Sequence, residues 1–130
     1  MKYYFNKKLS TKSFDAAIES VIEELKNEGF GVLTDIDVQA TFKKKLNVDF
    51  KKYRILGACN PSFAYKAISS EDKIGVFLPC NVVVEEHENG EIEVSAVDPI
   101  ASMSTVENET LGALAKEVQD KMKQVIASLN

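Results

Sequence analysis

Apolar residues recur at every third or fourth position in two stretches of the chain, Phe14 to Leu25 and Leu111 to Leu129. Charged residues fill many of the positions between them, so each stretch would form a helix with one apolar and one polar face. Serine, threonine or asparagine precedes both stretches and offers an N-cap, and Gly29 follows the first as a C-terminal stop. The pattern therefore predicts two amphipathic helices that each bury one face.

Five shorter stretches alternate between apolar and polar positions or are rich in β-branched and aromatic residues, which is typical of strands. They cover residues 2–8, 30–36, 49–58, 81–88 and 92–97. The last two flank Glu88-Asn89-Gly90-Glu91, and an Asn-Gly dipeptide favours the positive φ angles of a type I′ turn. This region is therefore predicted to be a β-hairpin.

Two short helices are predicted between the strands. Asp37 caps the first, which ends at Asn47, and Asn60 caps the second, with Pro61 at its first position. The second helix carries a short stripe that we expect to be buried, namely Phe63, Ala64, Ala67 and Ile68. An apolar run of uncertain type follows at residues 74–78.

The resulting order is β-α-β-α-β-α-β-β-α. It predicts an α+β fold, a two-layer domain with a mixed β-sheet and the helices packed on one face. A doubly wound parallel sheet is the alternative, but the hairpin and the lack of a glycine-rich phosphate turn argue against it. With 130 residues, the chain is long enough for one hydrophobic core, so residues 1–130 are interpreted as a single domain.

Charge and cysteine content narrow the class of protein. The formal net charge of −4 argues against a nucleic-acid-binding protein, because such proteins carry basic surfaces. No stretch has the apolar length of a signal sequence or a membrane span, so no membrane partner is predicted and a cytoplasmic location is expected. Two cysteines are too few for a disulfide scaffold, and in that compartment they are expected to be free thiols.

Both cysteines belong to similar clusters, Cys59-Asn60-Pro61 and Pro79-Cys80-Asn81, and each cluster lies where an apolar stretch meets a turn. If the strands next to these clusters are neighbours, Cys59 and Cys80 would border one pocket. A dithiol there could bind a soft metal, carry sulfur or cycle through a disulfide. The alternative is that both thiols are buried as small hydrophobic groups.

Polar residues near the two clusters have competing interpretations. Asn60 caps a helix, whereas Asn81 precedes a strand and could orient a carbonyl or phosphate group in a pocket. Arg54, the single arginine, either binds an anion with both guanidinium nitrogens or pairs with Asp35 or Asp37 on a neighbouring strand. Of these two roles for Arg54, the ion pair is favoured.

The single histidine, His87, lies beside the predicted hairpin turn. We interpret it as a surface residue, so the sequence predicts no metal ligand set and no histidine-dependent catalysis.

Residues 103–106 and the apolar face of the last helix offer a dimer interface, although packing within the chain would use most of that helix.

Four motifs in this order resemble the "domain of unknown function 302" family of bacteria and archaea. They are Gly29–Thr34, Tyr53–Pro61, Leu78–Val82 and Ser95–Pro99. The resemblance spans nearly the whole chain and implies a compact α+β domain that tends to form homodimers. It implies no settled activity, and it places both cysteine clusters where the motifs of the family stand.

The leading hypothesis is a small cytoplasmic binding protein, a homodimer, that takes a small molecule or ion. Its candidate ligand-binding residues are Cys59, Asn60, Cys80, Asn81 and Arg54. The first alternative is a thiol-dependent redox or sulfur-handling enzyme, and the second is a structural or interaction module with inert core cysteines. The sequence indicates no particular cofactor and no catalytic residue, and whether the protein is an enzyme stays open, with a binding role preferred.

Overall fold

The computed structural model describes residues 2–130, and its main elements follow the predicted order. The strands are β1 (Tyr4–Leu9), β2 (Gly31–Asp37), β3 (Tyr53–Cys59), β4 (Cys80–Glu86) and β5 (Ile92–Val97). The helices are α1 (Phe14–Asn27), α2 (Val38–Leu46), α3 (Pro61–Ser70), α4 (Pro99–Ser102) and α5 (Glu109–Ser128). The apolar run after α3 forms a short 3-10 helix, Ile74–Phe77. In the described chain no helix is both long and apolar enough to cross a membrane.

The five strands form one sheet in the order β1-β5-β4-β3-β2, and every neighbouring pair is antiparallel. The α+β class and the element order are confirmed, but the expected mixed sheet is antiparallel throughout residues 2–130. The burial of the connecting helices fits the antiparallel arrangement. Parallel strands are usually joined by a helix packed on the sheet face, whereas α2 buries no residue and α3 buries only Ala67.

The main core lies between the sheet and helices α1 and α5. Alternate residues of β4 and β5 are fully buried on this face, because side chains of a strand point to opposite faces in turn. They are Val82, Val84, Ile92, Val94 and Ala96. A second, smaller cluster joins α3 to α5 through Ala67, Ile74, Leu111 and Leu114.

The predicted helix ends are confirmed by capping contacts. The side chains of Ser13 and Asn108 accept hydrogen bonds from backbone N–H groups at the starts of α1 and α5, as N-caps do. Asp37 caps α2 in the same way, and Asn47 ends that helix in the left-handed conformation with φ 53°. Gly29 follows α1 with φ 87°.

The hairpin is confirmed, but its turn differs from the predicted type I′. The Gly90 N–H donates to the His87 carbonyl at 2.9 Å, and the His87 N–H donates to the Glu91 carbonyl at 2.8 Å. Gly90 has φ 84°, and Asn47 is the one other residue besides Gly29 with positive φ in the described chain. The loop therefore has three residues, 88–90, with glycine in the left-handed position.

Candidate functional site

A cavity of about 310 Å³ lies between α3, α5 and the ends of β3 and β4. Its walls are almost entirely apolar, and the polar atoms at its border come from Thr34, Cys59, Asn60 and Cys80. The apolar wall includes Phe30, Ala58, Phe63, Ala64, Ala67, Ile68, Leu78, Met103, Leu111, Leu114, Ala115 and Val118. The predicted stripe of α3 therefore faces this cavity, which is why Ile68 is 45% exposed instead of buried.

The structure brings the two cysteines to one place. Cys80 is opposite Ala58 in the register of β3 and β4, and Cys59 is the next residue of β3. Both side chains border the cavity as free thiols, Cys80 buried and Cys59 partly exposed. Cys59 and Cys80 therefore line the same cavity.

The two thiols differ in how readily they ionise. Burial, and secondarily the neighbouring Cys59, raises the pKa of the Cys80 thiol to about 11. Removing a thiolate from water costs free energy, so Cys80 stays protonated near neutral pH and is a poor nucleophile. Thiol chemistry at this cavity would therefore depend on Cys59, which directly precedes the N-cap of α3.

The two ends of the Asn60 side-chain amide face different parts of the chain. Its Oδ1 accepts the backbone N–H of Phe63 at 3.4 Å, which caps α3. Its Nδ2 would lie 3.0 Å from a Cβ placed on Gly29. Gly29 also has positive φ, so a side chain at this position would be strained and would collide with Asn60. The motif glycine and the motif asparagine thus fit against each other beside the cavity.

Gly57 lies in β3 near the two cysteines, where other side chains leave no room for a Cβ atom. A Cβ at this position would lie 2.0 Å from Thr34 Oγ1 and 2.8 Å from Pro79 Cγ, two residues that line the cavity. Pro79 follows a cis peptide bond from Leu78. Gly57 therefore permits a close approach by side chains of the protein itself.

The structure places the other two candidate residues away from this cavity. Asn81 is exposed on the opposite face of the sheet, where it borders a groove of about 360 Å³. Arg54 lies near the start of β3 and pairs with Asp35 on β2. Its Nε donates to Asp35 Oδ1 at 2.7 Å, and its Nη2 donates to Asp35 Oδ2. The ion pair predicted for Arg54 is therefore present.

Sequence reasoning missed two features of the site. The first is the share of α5 and of the loop before it in the cavity wall. Met103 lines the cavity and packs with Val106 against the α3–α5 cluster, so the proposed interface residues pack within the chain. The second is a group formed by Glu85, His87 and Glu93 on the opposite face of the sheet. The sequence pattern did not indicate that two carboxylates lie beside His87.

The architecture and the cavity define a class, a small α+β domain with an antiparallel five-stranded sheet and an apolar cavity beside two free thiols. Residues 5–129 match the family model described as "Domain of unknown function DUF302", and the chain belongs to that family. A crystal structure of an uncharacterized conserved protein DUF302 from Bacillus stearothermophilus is similar, with a TM-score of 0.91 and 27% sequence identity over 100% of both chains. No curated protein matches the chain.

Proposed function

We propose that the protein binds a small apolar or amphipathic organic molecule in the cavity between α3, α5 and the ends of β3 and β4. The observation that carries this proposal is an apolar space of about 310 Å³ beside four polar side chains. Ligand sites combine a largely apolar wall with a few polar groups that orient the ligand, and they start at about this volume. Transfer of an apolar ligand from water into such a space is favourable.

The thiols suit a binding role better than a role as a catalytic pair. The pKa of Cys80 is raised to about 11, so its protonated sulfur acts as part of an apolar wall. The buried state of Cys80 also fits the alternative of inert core cysteines. The partial exposure of Cys59 favours the second candidate function, a thiol-dependent reaction that uses Cys59 alone.

The homodimer and the cytoplasmic location stay predictions. Two side chains of the cavity wall support an interface, since Leu33 is 70% exposed and Ile68 is 45% exposed. Exposed apolar residues around a hollow are typical of interaction surfaces. Light scattering should give the mass of a dimer, and Ile68→Ser should lower that mass toward the monomer. A monomeric wild-type protein would contradict the predicted dimer, but it would not contradict the proposed ligand binding in the cavity.

Fluorescence titration with anilinonaphthalene sulfonate, followed by displacement with decanoate, tests the binding proposal. Ala64 on α3 lines the cavity, so Ala64→Leu should fill part of it and weaken dye binding about tenfold. This estimate equals the roughly 1.5 kcal/mol that a few buried methylene groups contribute. The matched control is Ala113→Leu, because Ala113 is exposed on α5. Absence of saturable binding, or an equal effect of both substitutions, would overturn the proposal.

Rapid alkylation of the native protein tests the second candidate. If Cys59 is a nucleophile, iodoacetamide should modify it in the folded protein at neutral pH, and Cys59→Ser should abolish that reaction. If the folded protein reacts only after denaturation, the thiol-dependent reaction is excluded and the binding role is unaffected.

A further inference from the structure

Three potential metal ligands converge on the sheet face opposite the cavity. One ligand atom each from Glu85, His87 and Glu93 lies within 4.8 Å of the other two. Glu85 and Glu93 are direct partners in the register of β4 and β5, and His87 follows the end of β4. His87 Nε2 is 2.8 Å from Glu93 Oε1. This is the one such group of three histidine, cysteine or acidic side chains within residues 2–130.

The group is only partly open to solvent. The side chains of Glu85, His87 and Glu93 are 16%, 32% and 15% exposed. Like charges directly opposite each other destabilise an antiparallel pair, and partial burial strengthens their repulsion. A positive charge between or beside the two carboxylates would therefore stabilise this arrangement.

One cation and one hydrogen-bond donor of the protein partly stabilise the two carboxylates. Lys51 Nζ lies 2.6 Å from Glu85 Oε1, and Asn6 Nδ2 donates to Glu93 Oε2 at 2.6 Å. Asn6 therefore holds the Glu93 oxygen that does not face His87. This leaves Oε1 of Glu93 and Nε2 of His87 directed at each other.

We propose that Glu85, His87 and Glu93 form a binding site for a divalent transition metal of the Zn²⁺ type. Carboxylate oxygen and imidazole nitrogen bind Zn²⁺ at about 2.0–2.2 Å, so ligand atoms around a tetrahedral ion lie about 3.4 Å apart. The separations in this group, 2.8 Å between His87 and Glu93 and at most 4.8 Å overall, span that value. Lys51 is the competing cation, and its side chain is 35% exposed, so it can swing into solvent when a metal binds.

The site has three protein ligands and would leave one tetrahedral position for another group. Glu85 and Glu93 also line the groove of about 360 Å³ on this face, together with Tyr53, Asn81 and Ser95. Three protein ligands with an open position are typical of zinc sites that take water or an anion from a substrate. The fourth ligand therefore belongs to the class of water or small oxyanions, and it would reach the metal through this groove.

Titration with CoCl₂, monitored by visible absorption, and calorimetric titration with ZnCl₂ test the site. We expect one metal ion per chain. His87→Gln and Glu93→Gln should each weaken affinity at least about tenfold, since even residues that only support ligands change metal affinity by 10- to 100-fold. The matched control is Glu88→Gln, which removes the same charge from an exposed position of the same hairpin and should change affinity less than about threefold.

Two further variants test whether Lys51 competes with the metal and whether a cysteine takes part in binding it. Lys51→Met should raise metal affinity several-fold because it removes the cation that pairs with Glu85. Cys59→Ser should leave affinity unchanged because Cys59 ends β3, whereas Glu85 pairs with Tyr53 at the start of that strand. No saturable binding at millimolar metal, or an affinity that His87→Gln leaves unchanged, would overturn the proposal. So would an effect of Glu88→Gln equal to that of Glu93→Gln, and circular dichroism of each variant verifies that it is folded.

Discussion

The two faces of strand β4 carry different chemistry, although their residues alternate along one short segment. On the helix side, Cys80 begins the strand beside an apolar cavity, and Val82 and Val84 continue into the core. On the other side, Asn81 and Glu85 border an open groove, and Glu85 lies close to His87. Adjacent residues of β4 therefore face two different environments. One is the apolar core and cavity, and the other is a groove bordered by charged side chains.

This difference separates two kinds of site within one small sheet. The cavity needs close packing of small and apolar side chains, so it should respond most to changes in volume. The cluster of Glu85, His87 and Glu93 depends on charge and ligand type, so it should respond most to changes that keep volume and alter charge. Substitutions that affect one side and spare the other are the direct test of this division.

Gly57→Ala should have the largest effect, on the cavity side. The new Cβ would lie 2.0 Å from Thr34 Oγ1 and 2.8 Å from Pro79 Cγ, and overpacking of this kind costs about 2 kcal/mol or more. Urea denaturation should show this loss in the free energy of unfolding. Dye binding in the cavity should weaken, while cobalt binding by the folded fraction should persist.

The control for this substitution is Gly31→Ala, because a Cβ at Gly31 would meet no atom within 4 Å. It should change stability by less than about 0.5 kcal/mol. Thr34→Ala combined with Gly57→Ala should recover part of the loss by removing the closer of the two contacts. Equal costs for the two glycine substitutions would show that backbone freedom, and not the contact with Thr34 and Pro79, determines the effect.

The Cys80 thiol should react much more slowly in the folded protein than in the denatured chain. In a Cys59→Ser variant, Cys80 is the one remaining thiol, and its pKa is raised from 9.0 to about 11. Alkylation of the folded protein at pH 8 should therefore be about 100-fold slower than alkylation of the denatured chain, because the thiolate is the nucleophile. The rate should rise about tenfold per pH unit between pH 8 and pH 10.

The same difference in pKa has a consequence for stability. Above pH 9 the unfolded chain loses the thiol proton while the folded protein retains it, so the unfolded state is favoured as the pH approaches 11. The Cys59→Ser protein should therefore lose stability in this window faster than a protein that also carries Cys80→Ser. Equal pH dependence in the two proteins would contradict the raised pKa.

The sequence predicted the parts of this structure that depend on local patterns. The apolar spacing of α1 and α5, the caps at Asp37 and Asn60 and the hairpin at Gly90 all involve residues close together in the chain. The shared position of Cys59 and Cys80 was only a conditional hypothesis, because it required β3 and β4 to be neighbours and local patterns do not determine the strand order. The cavity itself was not predictable, because it depends on how α3 and α5 pack across a distance in the sequence.

The cluster on the other face was missed because of one residue in the hairpin loop. A two-residue type I′ turn at Asn89 and Gly90 would place Glu85 opposite Val94, whereas the observed three-residue loop places it opposite Glu93. A shift of one residue exchanges the faces of a strand. The signal in the sequence was the run of Glu85, His87 and Glu93 around a turn, but its meaning depended on the register.

Asn60 offers a smaller test of what borders the cavity. Asn60→Ala removes the cap of α3 and should cost about 1 kcal/mol, similar to Asn108→Ala at the start of α5. Asn60→Ser retains a capping oxygen and should recover most of this loss in urea denaturation. Because Asn60 Oδ1 accepts from Phe63 and Nδ2 lies against Gly29, dye affinity should stay unchanged in Asn60→Ser. A weaker affinity would instead show that the amide contacts the ligand.

The smallest expected effect belongs to the pair of Arg54 and Asp35, which lies outside both sites. Hydrogen bonding from Arg54, with its positive charge, keeps the pKa of Asp35 below its ordinary value of 3.8, although burial opposes this effect. The pair is partly exposed, with side chains 26% and 38% accessible, so solvent screening limits its contribution to about 0.5 kcal/mol.

The pH dependence of this contribution has a definite sign. Above about pH 4 Asp35 is charged in both the folded and the unfolded state, and the pair contributes fully. As the pH falls further, the unfolded chain binds the proton first, and the contribution disappears as the folded carboxylate is protonated. Arg54→Gln should therefore lower the free energy of unfolding by about 0.5 kcal/mol at pH 7, and by progressively less as the pH falls through the lowered pKa of Asp35. Lys66→Gln, an exposed lysine on α3, is the control for loss of one positive charge. A loss of dye or cobalt binding in Arg54→Gln would connect Arg54 to one of the two faces after all.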